Sequence, residues 1–260
     1  MQATPNQTPH TAAGTPLPER MQRLIGGWEA SGDRRAIFLA CYALMTGNIL
    51  TALEQGRFED QRWVGAMVHN FADYYFVALD AYERQATPLP EVWRQAHDLA
   101  RAPTTPVVQS LLMGVNAHIN HDLILVIADM LQDDWASMPP ELRAQRYRDH
   151  CLVNVLIGET IDTVQERVVE PYARMMELVD VVCGPLDEWC TARLIRNWRD
   201  DVWRSAVTIV ETPDPQARQE LRRAMDAQAQ HRIRLLAEGG ALGARVFGYP
   251  LRWLNRLRLV

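Results

Sequence analysis

The sequence predicts an all-α fold, a single-domain bundle of about seven or eight helices. Three observations predict it. Apolar residues recur at helical spacing in one segment after another, short Pro- and Gly-containing breakers separate these segments, and no stretch alternates apolar with polar residues long enough to build a sheet. No repeat with a period of roughly 20–50 residues is visible, which argues against a solenoid.

The elements follow in order. Residues 1–18, rich in Thr, Pro and Gln, read as a disordered tail without the basic and apolar regions of a secretory signal. The helical domain spans 19–240. Residues 19–30 make a short amphipathic start. Asp33 is placed to cap a helix running to Leu53, with Ile37, Cys41, Leu44 and Ile49 near helical spacing and Gly56 as its stop. A third helix covers 59–85, with Trp63, Met67, Phe71, Tyr75 and Leu79 along it. Thr87-Pro-Leu-Pro90 breaks the pattern before a short helix to Arg101, and Ala102-Pro-Thr-Thr-Pro106 breaks it again before a helix over 107–132. Pro139 and Pro140 precede a long helix over 141–182, with a kink expected at Pro171. Gly184-Pro185 ends that helix, 186–211 carries Trp189, Trp198 and Trp203, and Pro213 and Pro215 separate it from a polar helix over 216–237. The apolar and arginine-rich segment 241–260 is expected to pack on the domain or on a partner, since free it would expose much apolar surface.

At 260 residues, nearly half of them hydrophobic, the chain can bury a sizeable core, and its formal charge of -5 argues against a general nucleic-acid binder. Every cation is arginine, which reads mainly as base-composition bias. Cys41, Cys151, Cys183 and Cys190 form no Cys-x-x-Cys pair, so each is expected to be a small buried hydrophobe. No apolar run reaches the roughly 18–20 residues of a membrane span, and a cytoplasmic protein is the default.

The sharpest chemical clue is a repeated spacing. His69 precedes Asp73 by four residues, and His118 precedes Asp122 by four, each within an apolar helical segment. A helix brings such residues onto one face, so the two pairs are expected to share or flank one divalent ion, with His69, Asp73, His118 and Asp122 as ligands. Imidazole with carboxylate suits Zn, Fe or Mn better than Ca or Mg. Asn116, Asn120 and His121 complete a polar island around His118. Unpaired buried polar groups cost roughly 1–3 kcal/mol each, so such an island implies a closed hydrogen-bond network or a ligand site. His121 and Glu159 are candidates for moving protons, and Asn116 and Asn120 for supporting them. Phe71, Tyr74, Tyr75, Met113, Asn154 and Asp162 are expected to line the substrate pocket. Gly158 sits on a stripe with Asn154 and Asp162 and suggests close approach by a neighbour or a ligand. His97 reads as exposed, and His150 as peripheral or on the surface. His10 and His231 read as bystanders.

The stretches HNFADYYFVALDAYE, LPEVW and VQSLLMGVNAHINHDL resemble a bacterial family of helical domains of unknown function, over roughly residues 35–205. That resemblance implies an all-helical fold and supplies no reaction. The paired His/Asp helices are also similar to the metal cluster of zinc-dependent phospholipase C and single-strand nucleases, which implies hydrolysis. Those folds use more histidines and an N-terminal tryptophan ligand.

Four functions are therefore weighed. A metal-dependent hydrolase using a metal-bound water ranks first. A metal-dependent cyclase or lyase acting on an apolar, terpenoid- or polyketide-like substrate ranks second. Asn154, Gly158 and Asp162 resemble the Asn/Ser/Glu triad of type I terpene cyclases, with Gly and Asp in place of Ser and Glu. A helical di-iron oxidase would need Glu-x-x-His pairs, and here the acid follows the histidine. A non-enzymatic binding or scaffold protein is the last. The expected partner is a small, apolar molecule, with a homodimer also open.

Overall fold

The computed structural model describes residues 15–175 and 188–238. They form eight helices and no strand. Helix α1 is Leu17–Ser31, α2 Ala36–Glu54, α3 Gln61–Glu83 and α4 Glu91–Arg101. Helix α5 is Val107–Leu131, α-helical except for a π-helical turn at His118–Leu123. Helix α6 runs over Pro140–Val164, a second π-helical turn at Gln165–Val169, and Glu170–Met175. Helix α7 is Glu188–Glu211 and α8 is Pro215–Glu238. Helix α1 begins at Leu17, inside the segment expected to be a tail. Cys183, Gly184-Pro185 and residues 241–260 lie outside the described residues.

Local chemistry fixes the helix ends. Helix α1 stops at Gly32 (φ 70°), with Gly32 N–H donating to the Glu29 carbonyl and Asp33 N–H to that of Trp28. Helix α2 stops in the same way at Gly56 (φ 69°), through Leu53 and Ala52. This six-residue closure satisfies carbonyls the helix leaves free, and its left-handed residue favours glycine. Helix α3 ends with the same bonds, yet Gln85 holds the left-handed position at φ 52°. Asp60 caps the start of α3 by accepting from Trp63 N–H, and Asp149 of α6 accepts from the N–H groups of Glu59 and Asp60 just before it. Asp33 accepts from both the backbone and the side chain of Arg35 rather than capping α2. At Pro171 the ring would clash with the carbonyl four residues back. The second π-helical turn ends two residues earlier and takes up that mismatch.

The interior has two apolar clusters. One gathers Ile37, Leu39, Tyr75, Leu79, Trp93, Leu111 and Met113 from α2 to α5, closed by α1 and by Ile233 of α8. The other gathers Trp63, Met67, Ile127, Leu131, Trp135, Val153, Trp203 and Ile209. Helix α5 serves both. Its buried apolar residues up to Ala117 belong to the first cluster and those from Ile119 onward to the second, while half-buried Val115 packs on both, so the first π-helical turn lies at the crossover. Helix α8 packs on the first half of α5 and on α4, while α7 packs on the second half and on α6.

Two helices are long and apolar enough to cross a membrane by length and composition, contrary to the sequence expectation. Scattered polar residues had hidden them as runs. Of the most apolar 18 residues, 83% are buried within the protein in Val107–Leu131 and 44% in Ala36–Glu54, and the core helix of a globular fold passes the same test.

Candidate functional site

The first π-helical turn carries the polar island. A π-helical turn widens the helix by one residue, and here it gathers His118, His121 and Asp122 against one another. Asp122 is buried (1% exposed) and is the hub. It accepts from Trp93 Nε1 at 3.0 and 2.9 Å, meets His121 Nδ1 at 2.9 Å and lies 3.5 Å from His118 Nδ1. Burial works to raise its pKa, but the contacts with His118 and His121 hold it below the ordinary value, so Asp122 is a carboxylate at neutral pH.

The two histidines take opposite states. Burial pushes the pKa of His118 down, against the pull of Asp122, so its ring is neutral. Burial also opposes the charge on His121, but Asp122 and Asp226 of α8 outweigh it and raise its pKa. His121 Nε2 stands 3.5 Å from Asp226 at the edge of the site. Asp226, His121, Asp122 and His118 thus form a line of titratable groups running from a part-exposed carboxylate to a buried imidazole.

The far nitrogen of His118, Nε2, is buried without a hydrogen-bond partner. The ring lies in an aromatic box. Phe71 stacks on it at 3.6 Å between centroids and 9° between planes, Tyr42 stands edge-on at 4.1 Å, and Phe38, Trp93 and Tyr75 lie 5.6, 6.3 and 6.4 Å away. Phe71 is itself only half-buried, so its ring separates His118 from the outside.

The other expected site residues distribute differently. His69 is exposed on α3, and half-buried Asp73 faces Arg20 of α1 as well as His69. The second His/Asp pair therefore does not join the first, because the face of α3 that reaches His118 is the one carrying Phe71 and Tyr75. Among the described residues, no group of three or more His, Cys, Asp or Glu side chains is arranged to hold a metal ion. Among the described residues, His69 and Asp73 are not brought together with His118 and Asp122.

Asn116 and Asn120 are engaged elsewhere. Asn120 donates to Asn116, which donates to the Ala229 carbonyl and so ties α5 to α8. Glu159 is exposed and paired with Arg57, and Asp162 is exposed. Asn154 accepts from Arg199 of α7. A Cβ placed on Gly158 would meet nothing within 4 Å, so that glycine marks no close approach. Tyr74 donates to Asp129, which also accepts from Arg222. Met113 is fully buried in the first cluster.

Sequence reasoning missed Trp93, Tyr42, Phe38 and Asp226, misread His97 as exposed, and for His150 the surface alternative does not hold. His97 is 3% exposed, with its pKa lowered to about 3 by burial. Trp93, Ala96, His97 and Ala100 form one buried face of α4, and that spacing was legible. His150 is fully buried beside Arg199, whose side chain donates to the His150 carbonyl and to Asn154. Cys41 is buried as expected, its thiol pKa pushed up to about 12, while Cys151 is half-buried.

A family model matches residues 17–239, far more than half of the chain. The chain belongs to DUF5995, a family of unknown function. The match extends past the segment that carried the sequence resemblance and takes in α1 and α8, the latter supplying Asp226 to the site. No curated protein and no solved structure matches the chain.

Proposed function

We propose that the domain binds a small, planar, largely apolar molecule beside His118 and transfers a proton on it, as an isomerase or lyase would, without a metal. The observation that carries this reading is the unpaired Nε2 of a buried, neutral His118 whose other nitrogen faces a buried carboxylate. An orphaned buried nitrogen costs roughly 1–3 kcal/mol, a cost that a polar ligand atom at Nε2 would offset. Here Asp122 favours the tautomer with hydrogen on Nδ1, leaving the Nε2 lone pair as the base. His121 and Asp226 offer a route for returning the proton to solvent.

The box indicates the substrate class. The rings of Phe71, Tyr42, Phe38, Trp93 and Tyr75 surround the imidazole, and displacing half-buried Phe71 would open an aromatic-walled path that suits a flat unsaturated ligand. This keeps the apolar substrate of the lyase reading and drops its metal. The hydrolase reading has no ligand set among the described side chains, and no step is assigned to it. A scaffold role is favoured by one observation, the closed Asn120–Asn116–Ala229 chain.

The test screens conjugated ketones and small aromatic compounds for binding by ligand-observed NMR and for hydrogen–deuterium exchange at acidic C–H positions in D2O. Wild type is expected to bind and exchange, Phe71→Ala to admit ligands more readily, and His118→Gln to lose exchange by about 10²–10⁴-fold while still binding. If neither wild type nor Phe71→Ala binds any member of the panel, the scaffold reading replaces this one.

A further inference from the structure

A second buried polar constellation lies next to the first; Trp93 and Tyr75 border both, but its unpaired atoms make no hydrogen bond to His118, His121 or Asp122. A small cavity between α2, α3, α4 and α5 is lined by Arg35, Tyr75, Trp93, His97, Ser110 and Gly114, among others. Three of these carry buried polar atoms with no hydrogen-bond partner: the Tyr75 hydroxyl, His97 Nε2 and the Ser110 hydroxyl. Tyr75 is 0%, His97 3% and Ser110 2% exposed. Three residues that line one cavity thus each carry an orphaned polar atom, which calls for a common partner.

We propose that this cavity is a built site for one uncharged, water-sized hydrogen-bonding molecule, water itself, held by Tyr75 Oη, His97 Nε2 and Ser110 Oγ. The space fits. It leaves about 10 Å³ for the centre of a water-sized sphere, enough for one molecule. The chemistry fits as well. Each hydroxyl donates or accepts, a neutral imidazole nitrogen does either according to tautomer, and an internal water takes two to four such partners. The site has no spare charge for an ion: His97 is neutral, and Arg35 is committed to Asp33 and Glu83. An apolar occupant would leave all three polar groups unpaired. Gly114 helps keep the wall in place, since a Cβ there would meet the Phe38 side chain at 2.5 Å.

The experiment is a high-resolution crystal structure of the unliganded full chain and of a Tyr75→Phe/Ser110→Ala double variant, with circular dichroism to verify folding. In wild type, one ordered peak is expected within about 3.2 Å of all three atoms. In the variant only one partner remains and the peak is expected to vanish. If the variant does not fold, a wild-type crystal pressurised with xenon decides: exclusion of xenon from an occupied polar site is expected. An empty wild-type cavity, xenon uptake, density larger than a water, or a peak that persists in the double variant would overturn the assignment. None of these outcomes depends on whether His118 transfers protons.

Discussion

Asp122 decides the local chemistry by accepting three neighbours at once, and replacing it should be costly. Asp122→Ala strands the Trp93 N–H and the raised-pKa His121, and is expected to lower stability by about 3 kcal/mol, measured by urea unfolding. The titrations pull in two directions. His97, His118 and His150 have lowered pKa values, so below about pH 6.5 the unfolded chain binds protons that the folded one excludes, and stability falls with falling pH. His121 has a raised pKa, so its contribution is complete below about pH 6.5 and is lost as pH rises through its folded value. Asp122, lowered, contributes above about pH 3.9 and loses that contribution as pH falls through its folded value. Three histidines outweigh one, so the urea midpoint should drop from pH 7 to pH 5, and a higher midpoint at pH 5 would contradict these assignments. At this scale the His118–Asp122 spacing was legible in the sequence. Which copy of the spacing faces inward was legible too, though harder to see. Two residues turn a helix by about 200°, so His69, two positions from both Met67 and Phe71, points away from the face those residues bury. The role of Trp93 was not legible, because its partner lies 29 residues along the chain.

The helix ends show how far local chemistry carries a sequence reading. Prolines and glycines set most boundaries, and among the described residues the helices fall between these breakers; the end expected at Gly184-Pro185 lies outside them. The π-helical turns did not show, because hydrophobic spacing tolerates one extra residue without losing its helical appearance. Gln85 is a position where sequence and geometry disagree. Its left-handed backbone suits glycine, so Gln85→Gly should raise stability by about 1 kcal/mol, seen as an upward shift in Tm. Gly114 is the converse. A methyl there meets Phe38 backed by Trp93 and His118, and Gly114→Ala should cost about 1–3 kcal/mol in urea unfolding.

Taken whole, the described residues have two apolar clusters joined by shared parts. Val115 and Met45 pack against both, and α5 runs through both. They are expected to unfold together, so thermal traces from far-UV circular dichroism and tryptophan fluorescence should coincide. Trp93 reports on one cluster and Trp63, Trp135 and Trp203 on the other, and separate transitions would show the clusters to be independent. The sequence indicated one domain because no linker interrupts it. It did not reveal two clusters, since membership depends on which side of each helix meets which neighbour. The π-helical turn in α5 is where that division is set, and it works as a phase shifter. An α-helix advances about 100° per residue, so one surplus residue re-aims everything after it. The buried apolar residues from Val107 to Ala117 are aimed at one centre and those from Ile119 to Leu131 at another, with half-buried Val115 touching both, along one unbroken rod. Deleting a single residue between His118 and Leu123 would let a regular helix span the same arc, so both halves would keep their aim while the polar island lost a position. The polar island sits at the only point along α5 where the chain changes its bearing, so chemistry and architecture share one insertion.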